Sequence, residues 1–304
     1  MTGASSFTGY WFAHALNEAG VEVVAPLRTA AAGYREGVRA ERVRRLKSVA
    51  EIVESAPFGS ERFLALAKTA GCEVLCHHAA RVGDYRSPDF DIPAALAENT
   101  ANLRAVLEAM GRGRLKAVVL TGSVFEEGEG AGEAPLRAFS PYGLSKGLTA
   151  GVFRLRCGEA GAPLARFVIP NPFGPLEEPR FCAYLMRTWR KRETARVMTP
   201  LYVRDNIHVS LLARAYAKFV AEAAADAGRF KLNPSGYVET QGAFAERFAA
   251  QIRPRLKLAC ALEQGVQTDF SEPFMRVNVD SAARYVGGFD EASAWDEAAE
   301  GYRL

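Results

Sequence analysis

Thr121, Tyr142 and Lys146 are the residues of this 304-residue chain whose types and spacing could move a proton on and off an alcohol. A phenol near pKa ~10 is a weak base at neutral pH and needs a nearby cation to ionise. Lys146 follows Tyr142 by one helical turn in Y-G-L-S-K and supplies that cation. Thr121, in T-G-S-V-F (121–125), offers a hydroxyl that could orient the oxygen losing its proton, with Ser123 the lesser claimant. A second group suits a phosphate. In T-G-A-S-S-F-T-G (2–9), Gly3 permits a tight turn and Gly9 lets a helix lie close behind it. The free N–H groups of that helix would face a pyrophosphate, and the Ser6 hydroxyl could bond it as well. Neither motif means much alone; their order along one chain carries the weight.

These groups need a scaffold that brings residues far apart in sequence to one edge. Residues 7–19 carry apolar side chains at helical spacing and Gly20 ends the run, which predicts a helix. Strands are expected at 21–25, 73–77, 115–121 and 165–170, with helices at 61–70, 100–110 and 142–157 between them. The run L-K-A-V-V-L-T (115–121) is continuously apolar, as for a strand buried on both faces. This alternation predicts an α/β fold built on a doubly wound parallel sheet over residues 1–175. Residues 176–304 are expected mainly to form a smaller C-terminal lobe, with 201–228 returning to the core. Only Met1 precedes Thr2, although a glycine turn of this kind follows a strand of five or six residues. The first β-strand is therefore expected to be missing, through a misplaced start or a truncated product that folds poorly.

In order and separation the motifs resemble the extended short-chain dehydrogenase/reductase family, in its nucleotide-sugar epimerase, dehydratase and reductase branch. Those motifs are the glycine turn, H-H-A-A (77–80), E-N-T-A-N-L (98–103), T-G-S-V-F, Y-G-L-S-K, N-P-F-G-P (171–175) and R-D-N-I-H-V (204–209). The resemblance spans nearly the whole chain. It implies a Rossmann-type NAD(P)-binding domain followed by a nucleotide-sugar lobe. Cofactor contacts are implied for Gly3, Ser5, Ser6, Phe7 and Gly9 of the turn. Ala79 and Ala80, whose small side chains let the dinucleotide pass, Asn99, Pro170, and Tyr142 with Lys146 would add to them. The family usually has a third glycine where Ser6 stands. Its NAD binders place an Asp at the end of the second strand; here V-V-A-P-L-R has no carboxylate. Arg28 instead suits a 2′-phosphate, so NADP is favoured over NAD.

The resemblance makes Tyr142 the general acid/base, Lys146 its cation and Thr121 the residue that holds the C4 oxygen of a hexose. Asn171 would contact the sugar nucleotide, Arg204 its diphosphate, and Arg276 the diphosphate as a second ligand. The T-D-E run of the 4,6-dehydratases is replaced by Thr121-Gly122-Ser123, which argues against elimination of water. Glu126 and Glu127 are expected to face solvent, and His77 and His78 to be structural. The implied activity is hydride transfer at C4 of a nucleotide-linked hexose, as a 4-epimerase or a 4-ketoreductase. Arg28 favours the reductase and R-D-N-I-H-V the epimerase. A non-catalytic NAD(P)-binding regulatory protein is one alternative, against which the retention of Tyr142 and Lys146 stands. An extended-family reductase of a small carbonyl is another, opposed by Asn171 and Arg204. The resemblance also implies a homodimer joined through the helices at 100–110 and 142–156.

Composition narrows the partners. Net charge is +3, and the arginine-rich run 35–47, interrupted by Glu36 and Glu41, reads as a solvated face rather than a nucleic-acid patch. No apolar run approaches the ~18 residues of a membrane span, and no signal peptide is expected. Five cysteines without metal-ligand spacing suit a reducing cytoplasm and no metal site.

Overall fold

The computed structural model of the chain describes residues 1–111, 114–226, 228 and 230–303. Helix α1 (Phe7–Glu18) is opened by Ser6, whose hydroxyl accepts the Gly9 N–H. Strand β1 (Val24–Pro26), helix α2 (Gly37–Leu46), strand β2 (Glu51–Val53), helix α3 (Glu61–Thr69) and strand β3 (Val74–His77) follow. Next come α4 (Ile92–Asn99), α5 (Leu103–Met110), β4 (Ala117–Ser123), β5 (Ala131–Gly132), α6 (Pro141–Ala160) and β6 (Leu164–Ile169). The helix expected over 100–110 is α5, and α4 ahead of it was not expected. Asp91 caps α4 and Pro93 sits in its first turn, while Asn102 at φ +48° breaks the chain before α5.

The main sheet is parallel, in the order β10-β6-β4-β3, where β10 (Lys231–Leu232) returns from late in the chain. Every residue of β4 is buried, as its unbroken apolar run predicts. On one face lie α1 and α8 (Val209–Ala224), with Phe12 stacked on Tyr216 at 4.0 Å and edge-on to Phe167. On the other lie α3, α5 and α6, with Phe63, Val106 and Phe153 against Val118 and Leu120. Each fully buried large side chain contributes about 1.5–3 kcal/mol.

Strands β1 and β2 form a separate parallel pair. Between this pair and β3 sit the first two residues. The Met1 ammonium donates to the Val24 carbonyl, and Thr2 N–H donates to the Cys76 carbonyl at 2.9 Å. Thr2 also forms a parallel bridge with His77, so Met1 and Thr2 occupy a strand position at the centre of the sheet.

The remainder of the chain adds β7 (Asn171–Phe173), α7 (Phe181–Arg190), β8 (Ala195–Val197) and β9 (Val203–His208) before α8. After β10 come β11 (Pro234–Ser235), β12 (Tyr237–Thr240), α9 (Gln241–Leu256), β13 (Leu262–Gln264) and β14 (Met275–Val277). Strand β15 (Asp280–Ser281) and helices α10 (Ala282–Val286) and α11 (Glu291–Arg303) end the chain. Strands β12-β9-β14-β5 form a second sheet, with β7 also paired to β9. Within 201–228 the helix α8 packs on α1 in the core, whereas β9 belongs to this second sheet. Around Phe244, Phe248 and Trp295 the lobe has its own aromatic core. Asp205 of R-D-N-I-H-V ties the lobe together, accepting the Gly236 N–H at 2.8 Å and the Asn278 N–H at 3.0 Å. No helix among the described residues is long and apolar enough to cross a membrane.

Candidate active site

The glycine turn lies directly on the H-H-A-A segment. Gly3 has φ +72°, and a Cβ there would sit 2.7 Å from the Ala79 nitrogen, so only glycine fits on both counts. Thr2 fixes the two segments together, its hydroxyl accepting the N–H groups of His78 at 3.1 Å and Ala79 at 3.0 Å. The Ser6 hydroxyl donates to the Gly3 carbonyl, accepts from Gly9 N–H and meets His78 Nε2 at 3.1 Å. These bonds use its capacity, so Ser6 shapes the turn. His78 Nε2 also meets the Thr8 hydroxyl at 2.9 Å. Burial, helped by the Lys146 charge, pushes both His77 and His78 down to about 3, so both imidazoles are neutral and structural.

Helix α2 departs from its expected solvated face. Arg44 and Arg45 do lie on the surface with Glu41, but Arg42 is fully buried. Arg42 donates to the Ser5 carbonyl at 3.0 Å, to the Leu176 carbonyl at 2.7 Å and to both oxygens of Glu178. Arg39 reaches the Ser5 hydroxyl at 3.0 Å. Between the end of β1 and α2 lies a basin of about 480 Å³, lined among others by Arg28, Tyr34, Arg35 and Arg39. Arg28 itself is exposed and meets Glu98 at 3.3 Å, and Glu98 also pairs with Arg81. The glycine approach, the open N-terminus of α1 and this cationic basin together fit a dinucleotide. Phe7 is buried in the core beside the turn, and Pro170 is buried just beyond β6. Asn99 accepts Arg81 N–H and donates to the Thr149 hydroxyl, which ties the segment after β3 to α6.

Helix α6 carries Tyr142 and Lys146. Ser140 caps it and Pro141 opens it, which sets Tyr142 in the first turn and Lys146 one turn on. Lys146 is buried and donates to the Thr121 carbonyl at 2.6 Å. The Thr121 hydroxyl is buried without a hydrogen-bond partner. It shares the β4 face of Ala117 and Val119 and lies toward the Tyr216 hydroxyl, with which it interacts without a well-formed hydrogen bond. Lys146 and Thr121 thus meet through the backbone of β4. The Tyr142 ring stands edge-on to Tyr85 and Phe90, with centroids 6.0 and 5.9 Å away. Burial pushes Tyr142 up to about 12, the Glu126 charge adds to this, and the Arg180 cation opposes it. Lys146 is lowered by burial, with Glu126 opposing and Arg166 reinforcing.

Glu126 does not face solvent as expected; it is 1% exposed. It accepts the Ser123 N–H at 2.7 Å and pairs with Arg166, which also binds Glu129 at 2.7 Å. Lys231 and Asn233 complete the partners of Glu129. Gly122 makes room, since a Cβ there would meet both Arg166 and Glu126 within about 3 Å of each. A sequence clue existed in Arg166, a charge inside the apolar strand L-A-R-F-V-I that had to find a carboxylate.

Of the residues expected at the substrate, Asn171 donates to the Asp205 carbonyl at 3.2 Å. Arg204 donates to the carbonyls of Val203, Pro273 and Phe274 and to the Glu272 carboxylate, and its guanidinium lies over the Tyr202 ring, 4.5 Å from the centroid. Arg276 is buried and donates to the carbonyls of Val124, Glu126 and Arg137, bracing the loop that follows β4.

A glycine turn at the head of α1, carried on a parallel sheet with helices on both faces, defines a Rossmann-type dinucleotide-binding protein. The chain belongs to the NAD dependent epimerase/dehydratase family, whose model matches residues 1–232. Among solved structures it is similar to a UDP-glucuronic acid 4-epimerase from Bacillus cereus, at 15% identity and a TM-score of 0.74, covering 99% of this chain and 98% of that one. A UDP-glucose 4-epimerase from Stenotrophomonas maltophila matches at 18% identity, TM-score 0.74, over 99% and 96% of the two chains. A dTDP-glucose 4,6-dehydratase from Streptomyces venezuelae matches at 16% identity, TM-score 0.72, over 99% and 95%. No curated protein matches the chain.

Proposed function

We propose that the chain is an NAD(P)-dependent 4-epimerase or 4-ketoreductase of a nucleotide-linked hexose, with Tyr142 moving the proton at O4. The observation that carries this is the placement of Tyr142 and Lys146 on one face of α6, with Lys146 anchored to β4 through the Thr121 carbonyl. NAD(P), when bound, supplies the oxidant or reductant at C4. The glycine turn, Ala79 and Ala80 receive its pyrophosphate side, and Arg28 with the basin behind it favours NADP over NAD. Tyr142 is held protonated at neutral pH by burial and by Glu126, which suits donation to a C4 ketone. Removing a proton from a C4 hydroxyl demands the phenolate, and there the Lys146 ammonium supports the charge.

Place in the motif assigns Asn171 to the sugar nucleotide and Arg204 to the diphosphate. The same rule would give Thr121 to the C4 oxygen and Arg276 to the diphosphate, but the Thr121 hydroxyl lies toward Tyr216 behind β4 and Arg276 is spent on loop carbonyls. Arg204 is the better placed of the two arginines, because Glu272, its anionic partner among the described residues, is half-exposed and can yield to a phosphate. Five unpaired cysteines suit the reducing cytoplasm. Pairing of two copies through α6 would cover Leu144, Leu148 and Leu155, which are exposed along its outer face.

The test is to denature the purified protein and identify any released dinucleotide by mass and absorbance. Stoichiometric NAD means a cofactor recycled in place and so the epimerase. An empty protein that binds NADPH well above NADH means the reductase. Binding of neither dinucleotide would defeat the proposal.

A further inference from the structure

Two exposed guanidinium groups lie at the aromatic ring that stands against the phenol of Tyr142. Arg86 and Arg180 lie over the Tyr85 ring, 5.6 and 5.7 Å from its centroid, and the same ring stands edge-on to Tyr142. Among the described residues neither guanidinium has an ion-pair or hydrogen-bond partner, whereas Arg28, Arg42, Arg81, Arg166 and Arg204 all have carboxylates. Asp84 and Asp89 share the loop of Arg86 without an ion pair to it among the described residues, and two further acids are occupied. Glu178 is bound by Arg42, and Glu126 by Arg166. Glu177, the buried carboxyl that interacts with Arg180, is pushed up to about 8 by burial and leaves the Arg180 charge uncompensated at neutral pH. Two like charges at one aromatic ring repel each other, and an anion within reach of both lowers that repulsion.

Resting on Tyr142 as the proton carrier at O4, we propose that Arg180, with Arg86 beside it, binds the C6 carboxylate of a nucleotide-linked hexuronic acid. The geometry of the sugar selects this group. The diphosphate hangs from C1, across the ring from C4, and belongs to the Arg204 side of the site. Carbon 6 branches from C5, next to the reacting carbon, so its carboxylate stands beside O4 and can reach the arginines on Tyr85. A guanidinium fork takes a carboxylate through two parallel N–H bonds, which a neutral hydroxymethyl group cannot replace. Arg180 precedes α7 and Arg86 lies between β3 and α4, so the carboxylate would be gripped from both lobes.

The test uses the full chain with its cofactor, offering UDP-glucuronate and UDP-glucose, then their dTDP and GDP counterparts. Turnover is followed by the epimeric product and by cofactor absorbance. Binding is measured separately by calorimetry in the Tyr142→Phe variant, which keeps the site and loses the proton carrier. The hexuronate is expected to be favoured at least ten-fold in kcat/KM and in affinity. Arg180→Gln should cut that ratio at least ten-fold, mainly through KM, and Arg180→Lys should restore part of it. Equal or better use of the neutral hexose, or a ratio unchanged in Arg180→Gln, overturns the assignment while leaving the C4 chemistry standing. Failure of every sugar nucleotide to bind or react in cofactor-loaded protein defeats the C4 chemistry as well, and the carboxylate site with it.

Discussion

Tyr142 stands between opposing charges: Glu126 raises its pKa, whereas Arg180 lowers it, and burial tips the balance upward to about 12. The sign of the pH dependence follows. With the phenol held above its ordinary value of ~10, only a minute fraction is phenolate at pH 7. In the direction that removes a proton from O4, kcat/KM should rise about ten-fold per pH unit through pH 9. In ketone reduction it should stay flat over the same range, because the phenol is fully protonated throughout. A plateau below pH 8 in the first direction would show that the pair is tuned otherwise. Glu126→Gln extends the test. Removing the charge that raises Tyr142 should move the profile to lower pH, and a fall in Tm should accompany it. Loss of one partner from a buried ion pair costs about 3–5 kcal/mol, less here because Glu129 still holds Arg166.

Helix α6 delivers these residues to the end of β4 through one close contact. A Cβ on Gly143, between Tyr142 and Lys146 in sequence, would lie 2.1 Å from the Phe125 carbonyl oxygen. Gly143→Ala must therefore push the first turn of α6 away from β4, at about 1–3 kcal/mol. If Tyr142 and Lys146 act as proposed, a displacement near ~1 Å there lowers kcat by about 100-fold. Gly158, on the same helix, has nothing within 4 Å of its added Cβ. Gly158→Ala should raise stability by up to about 1 kcal/mol with activity intact, and Tm with kcat for the two variants separates the effects. What sequence revealed follows the same line between local and distant causes. The glycine turn, the buried strand β4 and the helix carrying Tyr142 and Lys146 were legible, because local periodicity and local motifs specify them. Helix α4 was overlooked although Asp91 and Pro93 mark its start, since its apolar stripe is short. The burial of Glu126 and Arg42 was illegible from their neighbours, because the causes are Arg166 and Glu178, 40 and 136 residues away. The cationic pair on Tyr85 joins residues from different lobes, and no spacing rule announces such a meeting.

At the scale of the whole molecule, two hydrophobic layers close the main sheet, yet the outer face of α6 stays uncovered. Leu144 and Leu148 are 38% and 43% exposed, and Leu155, further along the same helix, is 59% exposed. Gly147 and Gly151 leave open space beside them. Small residues among leucines let another helix approach closely enough to bury those side chains, each contributing about 1.5–3 kcal/mol when fully covered. The outward positions of α5 are different in kind, being the Arg104–Glu108 ion pair, so the apolar share of such an interface falls on α6. A second copy placed by a two-fold axis would set each Leu148 near its equivalent, where one substitution acts twice. Sedimentation should therefore show a dimer for the native chain and a monomer for Leu148→Arg, with cofactor binding retained because the glycine turn lies across the sheet. A native chain that sediments as a monomer at micromolar concentration would remove the interface. Persistence of the dimer in Leu148→Arg would move it to another face.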